Sequence, residues 1–229
     1  MSKKRVQFSK TGMGKYISHL DLLRTFTRAI MRAELPVLYS QGFNPHQKIT
    51  FSLPLPIGVT SECECVDIDF DDIVQNAEIM KKLNENLPMD MKVLGISDPV
   101  YKANDIVSAQ YLIEILSEKP LTDEIIRNFF GASEIVITKK SKKKGEVSLN
   151  LLDFVKAWEV TKRDENSGKN IIVLKIVLTA GNTQNVKPEL LVKALEDFAG
   201  LEEFENFNMH RIKIFCKTNE ESEKVEIFC

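Results

Sequence analysis

The sequence predicts an α+β fold with antiparallel sheets, and three observations carry that prediction. Short runs that alternate apolar and polar residues recur between segments of helical spacing. Clusters of glycine, proline and asparagine separate them. The order of the first half, strand–helix–strand–strand–helix–strand, is expected from the pattern of runs to come round again in the remainder. Together they give tandem ferredoxin-like (βαββαβ) halves, residues 1–104 and 105–229.

In the first half, "KRVQFSK" alternates Val6 and Phe8 with polar neighbours and reads as a strand, and "TGMGK" as a glycine-broken turn. Ser18, with Asp21 three residues on, approximates a capping box. Leu22, Leu23, Phe26, Ala29, Ile30 and Ala33 then form the apolar face of a helix over about His19–Ala33, which Pro36 halts. "QKITFSLPL" places Ile49, Phe51 and Leu53 on one side of a strand. "ECECVDIDF" alternates Cys63 and Cys65, then Val66, Ile68 and Phe70, with a shift of register between the two sets. The turn chemistry of "PIGVTS" joins these two strands as a hairpin. "DDIVQNAEIMKKLNENL" is an amphipathic helix with acids at its positive end, and "MKVLGISDPV" a closing strand.

The second half reads as "QYLIEILS" strand, "TDEIIRNFFGA" helix, "SEIVITKK" strand and "SKKKGE" loop. A mixed stretch around Trp158, a turn at "RDENSGKN", the buried strand "NIIVLKIVLTA", the helix "KPELLVKALEDFA" and the strand "HRIKIFCK" follow. The repetition lies in element order; no letter-for-letter repeat exists.

An apolar fraction of 43% and a charged fraction of 28% are those of a folded soluble domain. The net charge of −2 excludes a global field for polyanions. Locally the balance is uneven. Residues 1–60 carry nine Lys/Arg against Asp21 and Glu34, while residues 61–100 carry ten acids against three lysines. Either a basic and an acidic face exist, or the two blocks neutralise each other in space. Cys63, Cys65, Cys216 and Cys229 lack metal-ligand spacing and are expected as buried free thiols in a reducing cytoplasm. No stretch has the apolar length of a membrane span and the N-terminus has no signal-peptide core, which points to a cytoplasmic protein. No metal or cofactor is expected.

Three segments hold candidate chemistry. In Ser18-His19-Leu20-Asp21, His19 could move a proton and Asp21 orient it or act as a nucleophile. Residues two apart on a helix do not face each other, so capping is the better use of Ser18 and Asp21. Arg24, Arg28 and Arg32 are spaced by four and form a cationic stripe that acids or phosphates must answer. "YSQGFNPHQK" supplies Tyr39 and Phe43 to stack on a base or pack on the sheet, Gln41, Asn44 and His46 to read polar ligand edges, Gly42 for a positive φ, and Ser40 and Lys48 as further ligand-binding candidates. The run "KKSKKKG", residues 139–145, has no interleaved aromatic and reads as a solvated hairpin tip. P-loop, G-x-G-x-x-G, H-E-x-x-H and G-x-S-x-G patterns are absent.

The ordered string SHLD-x-x-R, R-A-x-x-R-A-x-L-P, Y-S-x-G-F-N-P-H, S-x-P-L-P-x-G and S-x-x-E resembles the signature of the radical-SAM-linked protein family, a domain of unknown function. "NVKPELLVKALE" and "MHRIKIFCK" resemble its C-terminal part. The resemblance implies a radical-SAM protein as partner, since that domain is encoded beside such a protein or fused behind it. This chain lacks the C-x-x-x-C-x-x-C triad, so a radical step would belong to the partner. The architecture is also similar to repeat-associated RNA-processing endonucleases and some pseudouridine synthases, which concerns fold alone.

The leading expectation is an accessory, substrate-binding module for RNA or another anionic chain, with Arg24, Arg28 and Lys48 on phosphate. The first rival is an RNA-processing or RNA-modifying enzyme using His19 and His46 as acid and base, or Asp21. The second is a protein–protein scaffold.

Overall fold

The computed structural model describes residues 2–141, 145–164, 170–181, 185–201, 204, 206–218 and 225–229. It is a mixed α+β protein whose assigned strand pairs are antiparallel and which has four α-helices among the described residues. The chain divides into two compact units: residues 1–106 with 211–229, and residues 107–210.

In the first unit, β1 (Ser2–Lys10) lies between β3 (Val59–Phe70) and β4 (Met91–Ser97). The short β2 (Ile49–Phe51) pairs with the far end of β3, Phe51 facing Val66. The expected hairpin is therefore not tight: β3 begins at Val59, and only its second half meets β2. Cross-strand partners share a face, so Val6 with Val66 and Phe8 with Glu64 look one way, and Arg5 with Asp67 and Gln7 with Cys65 the other. The register shifts between Phe8 and Lys10, close to where the alternation of "ECECVDIDF" changes phase. Helices α1 (His19–Arg32) and α2 (Asn76–Asn86) cover the Val6 face. Phe26 and Ile30 of α1, with Ile79 and Leu83 of α2, pack with Val6, Phe8, Ile68 and Phe70 there. Ser18 caps α1 as its sequence suggests, accepting from the Asp21 N–H at 3.2 Å. The helix ends where Glu34 takes a left-handed φ of 50° ahead of Pro36.

The turn before α1 is held from outside. Gly12 has φ 48° and lies so near Asp90 that a Cβ would sit 2.5 Å from its carboxylate oxygen. Asp90 accepts from the N–H of Gly14 through its side chain and from that of Thr11 through its carbonyl.

The cysteines depart from expectation. Cys63 and Cys216 are free and buried, but Cys65 and Cys229 are joined, with Cα atoms 6.8 Å apart. The cause lies in β11 (Val225–Ile227), which pairs with β10 (Asn206–Lys217) and brings Phe228 under the Arg5 guanidinium at 4.0 Å. Cys229 therefore arrives on the face of the sheet that Arg5 and Cys65 share.

The second unit contains β5 (Ile106–Ser117) from Val107 onward, α3 (Asp123–Phe130), β8 (Val155–Asp164), β9 (Asn170–Thr179) and α4 (Pro188–Ala199), with strand order β5-β9-β8. "SEIVITKK" does form a strand, β6 (Val136–Ser141). It pairs only with β7 (Gly145–Asn150), in a separate two-stranded sheet among the described residues. Alternation marks a strand but not its partner, which is why local pattern does not distinguish this ribbon from a strand of the larger sheet. Lys142–Lys144 of the basic run, the side chains of its other residues, and residues 165–169 of the "RDENSGKN" turn lie outside the described residues. No described helix is long and apolar enough to cross a membrane.

Candidate functional site

The basic excess of residues 1–60 is largely answered inside the first unit. Strand β1 lies beside the acid-bearing β3 and starts near Asp98, which follows β4, so Lys3 meets Asp69 at 3.2 Å, Lys4 meets Asp98 at 2.8 Å, and Arg5 grips Asp67 with both Nε and Nη2. The arginine stripe of α1 divides. Arg24 pairs with Asp21 at 3.0 Å, and Arg32 donates to the Asn86 carbonyl of α2. Arg28 and Lys48 are exposed and have no ion pair among the described residues.

The Asp21 carboxylate accepts from the Ser18 hydroxyl at 2.7 Å as well as from Arg24, and these two bonds hold it below its ordinary value. The exposed His19 ring stands edge-on to Phe51, centroids 5.5 Å apart. His46 is engaged elsewhere, its Nδ1 2.9 Å from the Ser40 hydroxyl. Among the described residues no hydrogen bond or ring contact joins His19 to Asp21 or to His46.

Residues 39–48 form a closed loop. Ser40 N–H donates to the His46 carbonyl at 2.8 Å, and His46 N–H donates to the Ser40 hydroxyl at 3.1 Å. One residue further out, Tyr39 and Gln47 form a β-bridge, and Lys48 N–H donates to the Leu38 carbonyl. Gln47 is only 5% exposed, and its Nε2 donates to the Thr27 carbonyl of α1 at 3.3 Å. That bond docks the loop on one flank of the helix. At 3.6 residues per turn, Arg24 and Arg28 stand about 60° and about 100° around the axis from Thr27, on the side away from buried Phe26 and Ile30. The helix that anchors the loop is therefore also the one that carries the two guanidinium groups on its solvent side. At the loop's tip Phe43 is fully exposed beside Gly42, whose φ is 119°; Gln41 and Asn44 are exposed, and Tyr39 is 46% exposed.

Beneath the start of α1 lies a charged cluster that no local pattern announces. Arg211, 1% exposed, donates through Nη2 to both oxygens of Glu64 at 2.6 Å and to the Leu53 carbonyl at 2.9 Å. Lys10, equally buried, donates to the Ile17 carbonyl at 2.8 Å. Together they tie down the segments on either side of His19 and Phe51. Burial lowers the Lys10 pKa, the Glu64 charge works against that, and the Arg211 charge adds to it. The Cys63 thiol, whose sulfur lies 3.5 Å from the Arg211 carbonyl, is pushed up to about 11 by burial, then by the Glu64 charge, which leaves it inert.

A pH dependence follows from Lys10. Its folded pKa lies below the ordinary 10.5, so the native state binds fewer protons than the unfolded chain between those values. The penalty is fully present below the folded pKa and fades as pH rises toward 10.5. Urea unfolding from about pH 7 to about pH 10 should show stability gaining with pH from this group, and Lys10→Met should lose that contribution. Equal slopes in the two proteins would show that Lys10 is not destabilised by burial.

Residues 3–188 match the model of a family described as "Uncharacterized protein conserved in bacteria (DUF2344)". No curated protein matches the chain. Among solved structures it is similar to one titled "Crystal Structure of a Cbf5-Nop10-Gar1 Complex", with a TM-score of 0.52 and 11% identity. That alignment covers 95% of this chain and 50% of the other, so the chain spans about half the length of its structural neighbour. At such identity the likeness is one of fold.

Proposed function

We propose, starting from the fact that the chain belongs to this uncharacterised bacterial family, that it is an accessory module which binds an RNA-like anionic chain. The bound chain would be presented to a radical-SAM protein for modification. The partner comes from the resemblance of the SHLD, Y-S-x-G-F-N-P-H and S-x-P-L-P-x-G motifs. In the same reading the first unit is a ferredoxin-like half, supported by the order β4-β1-β3 with β2 on β3. The observation that supports the binding role is the Gln47–Thr27 bond, which anchors the 39–48 loop to the helix that carries Arg24 and Arg28. Arg28 and Lys48 are cations without a carboxylate among the described residues, Arg24 is half-answered by Asp21, and phosphate is the anion that two or three such groups bracket.

The count of free cations sets the salt dependence. Two phosphate contacts on a single strand give a slope of about −1.4 in log K against log salt, or about a sevenfold loss from about 50 to about 200 mM; three contacts give about a twentyfold loss. The test is RNA binding by anisotropy across that range, with Arg28→Ala expected to flatten the slope by about 0.7. Absence of RNA binding at the lowest salt, or a slope that Arg28→Ala leaves untouched, overturns the proposal.

A further inference from the structure

Resting on the reading above, we infer that the site takes unpaired nucleotides, with a base stacked on Phe43, and that stacking rather than charge supplies most of the affinity. Of the nine cations in residues 1–60, six are engaged: Lys3, Lys4, Arg5 and Arg24 with carboxylates, Lys10 and Arg32 with backbone carbonyls. Lys15 lies over its neighbour Tyr16 at 5.3 Å. Only Arg28 and Lys48 face solvent beside the loop with no such partner among the described residues. A surface that tracks a duplex backbone needs many more phosphate contacts than these provide.

The loop offers what the charges lack. Phe43 is fully exposed, so its ring has both faces open and no share in the core. Its backbone support is already ordered: three hydrogen bonds between Ser40 and His46 close the loop below it, the Tyr39–Gln47 bridge closes it again, and Gln47 fixes it to α1. Stacking a base on a ring held this way costs little conformational entropy and covers apolar surface left in water. Gln41 and Asn44, exposed and close to Phe43 along the chain, carry amides that can meet a base edge. In an A-form duplex the base faces are hidden and the readable groove shows sugars and phosphates, so a lone projecting ring finds nothing to stack on.

The test compares a single-stranded RNA of about twelve nucleotides with the corresponding duplex, by anisotropy on the whole chain. Wild type is compared with Phe43→Ala, Phe43→Trp and Arg28→Ala; each side chain is exposed, so all three variants should fold. The single strand should bind at least about tenfold tighter than the duplex, Phe43→Ala should lose about tenfold or more, and Phe43→Trp should retain affinity. Equal binding of strand and duplex, or an unchanged Phe43→Ala, overturns the stacking inference; loss on Arg28→Ala in that case leaves the anionic site standing. If neither RNA form binds at low salt, the proposed function itself falls.

Discussion

Replacing Glu64 by alanine is expected to cost about 3–5 kcal/mol of folding stability. The reason is the charge sum of the buried cluster. Lys10 and Arg211 are both about 1% exposed, and Glu64 is the carboxylate that hydrogen-bonds the guanidinium. Without it two cations remain in a medium that solvates neither, and Arg211 loses its carboxylate while keeping the Leu53 carbonyl. Removing Arg211 instead leaves Lys10 and Glu64, opposite charges that still compensate each other. Arg211→Met should therefore cost less than Glu64→Ala, although Leu53 loses its donor. Removing both charges together, as Glu64→Leu with Arg211→Met, should recover part of the loss, because well-packed apolar groups often equal a buried ion pair while Lys10 is left without the Glu64 charge. Urea unfolding of Glu64→Leu, Arg211→Met and the pair variant forms a double-mutant cycle, with Glu64→Ala measured beside it. Two single variants of equal cost, or a pair variant as unstable as their sum, would refute a mutually compensating cluster. Against a total stability of about 5–15 kcal/mol, Glu64→Ala alone threatens the fold.

That cluster shows where reading the sequence runs out. Helix α1 is legible because its signals are local: Ser18 and Asp21 at one end, Pro36 beyond the other, and apolar residues at helical spacing between. Strand β1 is legible from two alternating residues. Arg211 is 147 residues from Glu64, and nothing near "HRIKIF" marks its arginine as buried. Lys10 looks like any lysine at a strand end, yet the register shift after Phe8 comes where the chain carries it to the Ile17 carbonyl. The charge blocks give a similar lesson. Their totals are visible, but only the strand pairing reveals that the cations of β1 meet Asp67, Asp69 and Asp98, which leaves Arg28 and Lys48 without an ion pair among the described residues. The polar loop is conspicuous in the sequence by composition. Its attachment to α1 depends on Gln47, which reads as one more polar loop residue and is nearly buried.

Phe26→Ala is expected to cost a further about 3–5 kcal/mol, measured the same way, and its consequences reach the surface. Phe26 is wholly buried, its ring 4.7 Å from Phe8 and 5.4 Å from Phe51 between centroids. Truncation removes the largest α1 side chain from the core and leaves a cavity bordered by both rings. Phe51 belongs to a strand of only three residues, so its hold on the core is mostly this aromatic packing and its register with β3. It also carries the His19 ring on its edge. Loosening Phe51 should therefore free His19 and disturb the segment leading back to Lys48, while Phe26→Leu, which keeps most of the volume, should cost markedly less. Imidazole resonances in NMR spectra separate the two consequences. His19 should shift in Phe26→Ala while His46, held by Ser40, stays in place. A stability loss under about 1 kcal/mol would show that the three rings do not support one another. A large loss with both histidines unmoved would show that the core carries His19 by some path other than Phe51.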